Sequence, residues 1–219
     1  MIKISNKYTI LFFIFMCHYS YSFTSSLSPE NKIRKIVFID KSTTEKDLID
    51  IIITFEGNDD LSIDNFIYGY VNIYLANIYN ERREYSKASE SIKKAFYYID
   101  KSVEGDITNW RARYLRLRVD AFIPEYLGRC EISLLDSEYL LSNNEIDNKL
   151  KYIIKYMYAK SLKDCKKNIK SNIVINELLK INDDNEIISN YGINNNIPWF
   201  PIEINLVISY LVSEKKYDS

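Results

Sequence analysis

The sequence predicts an all-α protein built of antiparallel helix pairs, and three observations carry that expectation. Between residues 72 and 95 the apolar positions recur at helical spacing: Leu75, Ala76 and Tyr79 on one segment, Ala88, Ile92 and Ala95 on the next, with the polar run 80–85 between them. Gly and Pro are scarce, five and four among 219 residues, which suits long helices and short turns better than an all-β chain. One second-helix pattern also repeats. Leu48-x3-Ile52-x2-Phe55, Ala88-x3-Ile92-x2-Ala95, Cys130-x3-Leu134-x2-Ser137 and Ser171-x3-Ile175-x2-Leu178 begin 40, 42 and 41 residues apart. Near-constant spacing is the mark of an array in which each unit buries its apolar face against its neighbours.

Taken from the amino terminus, residues 1–22 read as a secretory signal peptide. Lys3 and Lys7 supply the positive start, the run TILFFIFMC at 9–17 the apolar core, and Ser20-Tyr21-Ser22 a cleavage site that places the mature start near Phe23. The apolar run is shorter than the about 20 residues a spanning helix needs, so the membrane enters only through this segment if it stays uncleaved. Bulky Phe15 and Met16 before Cys17 argue against lipidation. In the single domain 23–219, Ser28-Pro29-Glu30 is a helix start, with Ser as N-cap and Pro at the first helical position. Ser42-x-x-Glu45 forms a capping box ahead of a stripe of Leu48, Ile51, Ile52 and Phe55 that Gly57 ends. The alternative for residues 35–39, KIVFI, is a short strand. Beyond residue 183 the Asn-rich stretch NEIISNYGINNN reads as a loop. Pro198 and Pro201 bracket Trp199-Phe200, and an amphipathic helix carrying Ile204, Val207, Ile208 and Leu211 closes the chain as a cap over 198–215.

The stretch 72–95 resembles a tetratricopeptide repeat, whose pattern runs from an aromatic through L-G-x2-Y and A-x3-F to a Pro. Here it stands as Leu75-Ala76-x2-Tyr79 and Ala88-x3-Ile92-x2-Ala95, with Asn72 at the aromatic position and Asp100 at the Pro. Other units depart further: Arg118 follows Leu117 where a small residue is the rule, Ile36 takes the small position of the first unit, and Tyr158-Ala159-x2-Leu162 fits well. The period exceeds the family's usual about 34 residues. The resemblance covers about 28–183 and implies a short right-handed superhelix of helix pairs. Its register makes Cys130 and Cys165 neighbours. Export permits a disulfide between them, but the narrow geometry of a bridge favours two buried free thiols.

The inventory narrows the chemistry. Without residues 1–22 the only histidine, His18, and two lysines are gone, so 27 basic residues face 30 acidic ones and the net charge moves from -1 to -3. No Ser-His-Asp or Cys-His dyad and no His-bearing zinc site fits such a chain, and no phosphate loop or nucleophile elbow is present. The expectation is a protein without catalytic residues, metal or cofactor, and without the basic footprint of a nucleic-acid binder. Glu81, Glu84, Glu90, Asp136 and Glu138 leave a carboxylate hydrolase open as a rival, and a closed apolar pocket would mark a small-ligand sensor.

The leading reading is a secreted or periplasmic adaptor that binds a protein or peptide on its concave face. In the family the first helix of each unit lines that face, which selects Tyr70, Ile73, Asn77 and Asn80, then Arg116 with Leu115 and Val119, then Tyr156, Lys160 and Lys163. Asn77 matches the asparagine of the family's carboxylate clamp, whereas Ile73 stands where that clamp carries lysine, so a mixed apolar and polar segment is the expected ligand. At about 100° per residue Arg111 and Arg118 share one helix face, with Arg113 and Arg116 opposite. Trp199 and Phe200 are expected to anchor the closing helix by packing.

Overall fold

The computed structural model describes residues 28–40, 42–55, 62–180, 186–193 and 195–213, and every regular element among them is helical. The expected signal segment 1–22 and the stop at Gly57 lie outside the described residues. α1 (Pro29–Val37) has Pro in its first turn, where the missing N–H sacrifices no bond. It covers most of the KIVFI stretch that alternatively reads as a strand. In α2 (Glu45–Phe55) the stripe of Leu48, Ile51 and Phe55 is buried. Its cap lies two residues later than expected. Thr44 N–H donates to Asp47 Oδ2 at 3.1 Å and Asp47 N–H to Thr44 Oγ1 at 3.2 Å, so Thr44 is the capping residue. Ser42 instead bonds Asp40, and Glu45 reaches away to accept from Tyr79 at 2.9 Å and from Arg82.

α3 (Ser62–Glu81) and α4 (Tyr85–Glu104) form the longest pair. They come into close contact at Gly69: a Cβ there would meet Ile99 Cγ1 at 2.6 Å and the Ala95 carbonyl oxygen at 2.8 Å. At the expected contact Ala76 is buried but Ala88 only half-buried. The turn between them ends α3 with Arg83 at φ +62°, where Glu84 N–H donates to Tyr79 O at 2.8 Å and Arg83 N–H to Asn80 O at 3.0 Å.

That turn recurs 83 residues later. α7 (Asn148–Asp164) passes to α8 (Asn168–Lys180) through Lys166 at φ +62°, with Lys167 N–H on Leu162 O at 2.8 Å and Lys166 N–H on Lys163 O at 2.9 Å. Between these pairs, α5 (Trp110–Asp120) joins α6 (Cys130–Ser142) by a different route, a 3₁₀ turn (Glu125–Leu127) closed by Gly128 at φ +75°. Each helix from α2 to α8 packs on the next, while α3 touches α5 and α5 touches α7. The odd-numbered helices thus form a layer of their own. Small polar residues let the layers close: Ser171 Oγ donates to the Ala159 carbonyl at 2.7 Å, and the hydroxyls of Ser133 and Ser161 bond each other.

Cys130 and Cys165 are joined in a disulfide with a Cα–Cα distance of 5.6 Å, which corrects the expectation of two free thiols. The register had already made them neighbours. The first residue of α6 lies against the residue that ends α7, inside the narrow range a bridge accepts.

The C-terminal part departs most from expectation. α9 (Glu186–Tyr191) is helical where a loop was expected, and Gly192 at φ +64° ends it with its N–H on Ile188 O at 2.8 Å. Residues 196–200 carry no regular structure. A continuous helical run then follows, from α10 (Pro201–Glu203) through a π turn (Ile204–Ile208) to α11 (Ser209–Ser213). Val207, Ile208, Leu211 and Val212 are buried, close to the predicted stripe. Its place is unexpected: α10 packs on α7, the π turn on α5, and α11 on α3 and α1. The helix crosses the odd-numbered layer in reverse chain order.

Candidate interaction face

The odd-numbered layer holds the C-terminal segment by side chains aimed at main chain. Arg118 is the centre. Its Nε donates to Glu203 Oε1 at 3.0 Å and its Nη2 to the carbonyls of Ile197 at 2.6 Å and Pro198 at 3.1 Å. The guanidinium lies 4.7 Å from the ring centroids of both Trp199 and Phe122. Arg118 is only 7% exposed and Glu203 is fully buried. Burying a charge costs several kcal/mol unless its donors are satisfied, and here one carboxylate, two carbonyls and two ring faces satisfy the guanidinium.

Glu203 is held from both sides. Tyr114 OH donates to Oε1 at 2.8 Å, and Oε2 accepts the Phe200 N–H at 2.8 Å, which caps the start of α10. Burial, with the carboxylate beside it, pushes the Tyr114 phenol well above its ordinary range, so it remains a donor. Further along α5, Arg111 Nε donates to the Leu206 carbonyl inside the π turn at 2.9 Å, with its guanidinium 3.5 Å from the Tyr210 ring centroid. On α7, Tyr156 OH donates to the carbonyls of Gly192 at 2.6 Å and Asn195 at 3.1 Å, and burial pushes this phenol up to about 12.

The opposite side of α5 carries a separate network. Asp136 is buried and accepts Arg116 through Nε at 2.7 Å and Nη2 at 2.9 Å, and Arg113 at 2.9 Å. Arg116 also reaches Asp100 at 3.3 Å. Arg129 grips Asp100 with two donors, at 2.7 and 2.8 Å, and Asp120 with Nε at 2.9 Å. Asp120 Oδ2 is buried without a hydrogen bond. Burial, opposed by Arg129, pushes the Asp120 carboxyl up to about 7.

The residues expected on the binding face separate into three groups. Tyr156 is fully buried and Ile73 and Lys160 nearly so, Lys160 donating to Asp164 at 2.8 Å. Tyr70 is half-buried, its hydroxyl 3.1 Å from that of Tyr74 and its ring edge-on to Trp199 at 6.4 Å. Tyr156 and Tyr70 are covered because the C-terminal segment lies over them. Arg116 turns the other way, toward Asp136 and Asp100. Only Asn77, Asn80 and Lys163, near the C-terminal ends of α3 and α7, are exposed.

Sequence reasoning set Arg118 on one helix face with Arg111 but left it out of the binding residues, and it did not single out Tyr114 or Glu203 for the site. The available signal was Arg118 itself, which stands where the repeat pattern asks for a small residue. Trp199 and Phe200 pack as expected, Phe200 edge-on to Tyr191 at 6.5 Å. Of the five acids considered for hydrolysis, Asp136 has both oxygens on arginine, Glu84 and Glu90 pair with Lys87 and Lys94, and Glu138 accepts from Tyr158. Among the described residues, the one cluster of metal-ligand atoms is Cys130, Cys165 and Glu131, whose sulfurs are bonded to each other. No helix among them is long and apolar enough to cross a membrane.

Compared with models of known families the chain matches none, and it matches no curated protein and no solved structure.

Proposed function

We propose that the protein is an exported helical-repeat scaffold that binds a peptide segment or a protein partner and does no chemistry of its own. The observation that carries this reading is the odd-numbered layer: Arg118 and Tyr156, from two different helices, each hold main-chain carbonyls of an irregular segment. Side chains that satisfy the carbonyls of an extended chain are what peptide recognition requires. The tetratricopeptide-like arrangement, a right-handed stack of α3/α4, α5/α6 and α7/α8, is supported by the two turns of equal geometry at Arg83 and Lys166. Export is supported by the disulfide, since such bonds persist in oxidising compartments.

The test is co-purification from the extracytoplasmic fraction of the native host, with the recovered chain weighed intact. A specific protein partner on a chain that starts near Phe23 is the expected outcome. A chain that retains Met1 in the cytoplasmic fraction overturns the localisation, and turnover of a glycan or peptide substrate by the pure protein overturns the scaffold reading.

A further inference from the structure

Resting on that scaffold reading, we infer that residues 195–200, Asn-Asn-Ile-Pro-Trp-Phe, occupy the place of the partner, which docks as an extended segment pairing an aromatic side chain with a neighbouring proline. The C-terminal segment has two parts of different character. From Val207 to Val212 it is an apolar helix with four fully or nearly buried side chains, so it belongs to the core. The strip before it is different. Asn195, Asn196 and Pro198 are exposed, Trp199 and Phe200 are half-buried, and only Ile197 is inside.

What holds the strip is what would hold a foreign peptide. Tyr156 takes the Asn195 carbonyl, Arg118 takes those of Ile197 and Pro198, and the Trp199 ring sits between Arg118 and Tyr70. Three of these contacts read the backbone and are indifferent to sequence. The fourth, an indole against a guanidinium and a phenol, selects an aromatic. Proline suits such a strip because it needs no donor of its own and keeps the chain extended. The strip is anchored at both ends, by α9 before it and α10 after it. It can therefore lift from the layer while Glu203 and the closing helix keep Tyr114 and the core in place. Displacement of 195–199 exchanges one set of carbonyl bonds for an equivalent one, and an incoming apolar side chain must take the place of buried Ile197, while Phe200 stays capped on Glu203. A basic peptide is disfavoured, since Arg118 lies at the floor of the site.

The probe is a labelled synthetic peptide of the strip's own sequence, residues 195–200, titrated by fluorescence anisotropy into the full chain. Trp199→Ala loosens the resident strip, and the peptide is expected to bind that variant at least ten-fold tighter than the natural chain. Adding Tyr156→Phe, which removes one carbonyl donor and little volume, is expected to cost about three-fold or more, and Arg118→Lys ten-fold or more. A Trp199→Ala chain that unfolds like the natural one yet takes up no peptide overturns the inference. Equal binding by all variants overturns it too, as a sticky surface. A co-purified partner that an excess of the peptide fails to displace leaves the scaffold reading standing and removes this site from it.

Discussion

The two sides of α5 treat four arginines of one helix in opposite ways. Arg113 and Arg116 face α4 and α6, where Asp136 and Asp100 supply full counter-charge from helices nearby in the chain. Arg111 and Arg118 face the C-terminal segment, where both donate to backbone carbonyls and Glu203, 85 residues from Arg118, supplies a carboxylate to it. The difference separates a face closed by charge pairs from one closed largely on main chain. Charge matched to charge fixes one arrangement of helices, whereas charge matched to carbonyls accepts any chain that presents them.

The comparison breaks first at Asp136. Asp136→Asn leaves Arg113 and Arg116 facing an amide in a buried site, and a loss of about 3 kcal/mol is expected from denaturant unfolding. The disulfide comes next on the same side of the molecule. It closes a separation of 35 residues, so Cys130→Ser with Cys165→Ser is expected to lower stability by about 2–4 kcal/mol. Unfolding curves with and without reductant check this; coincident curves would show the bridge adds nothing.

Glu203→Gln is the counterpart of the first change on the other face. Arg118 keeps its two carbonyls and the amide oxygen can still accept from Tyr114, but the amide NH2 then faces the Phe200 N–H, so a loss of about 2 kcal/mol is expected. If Glu203→Gln proves costlier than Asp136→Asn, the main-chain contacts of Arg118 do not compensate for the lost carboxylate and the comparison of the two faces fails.

The last effect is read as a pH slope. The Asp120 carboxyl, raised to about 7 from an ordinary 3.8, holds a proton in the folded state that the unfolded chain has already lost. Stability from this group is therefore greatest below about pH 4 and falls as pH rises toward 7, by at most about 1.4 kcal/mol per pH unit. The lowered carboxyls of Asp40, Asp47 and Asp106 act in the opposite sense, and only as pH falls below their ordinary values. Asp120→Asn is expected to flatten the slope between pH 4 and 7; an unchanged slope would mean that Asp120 is ionised throughout.

Some of this was open to reading before any coordinates. The all-helical class, the stripe on α2, the apolar face of the closing helix and the division of the four arginines all follow from periodicity, a local property set by 3.6 residues per turn. The division was legible and its consequence was not. Arg116 was placed with the binding residues because the register says which residues share a helix face but not which neighbour that face meets.

The sequence by itself determined helices α1 to α8 and the closing helix, though not α9, together with the approximate positions of their turns and the neighbourhood of Cys130 and Cys165, because helix period and pair register act over tens of residues. Only the tertiary structure decided three other matters. α3 and α4 come into tight contact at Gly69, because a missing side chain permits contact without demanding it. The two sulfurs are bonded, because bridging turns on a Cα separation that no spacing specifies. The closing helix lies across α7, α5, α3 and α1, because its apolar stripe fits any apolar surface, and the choice among them rests on Arg118, Tyr114 and Glu203 meeting across more than 80 residues of chain.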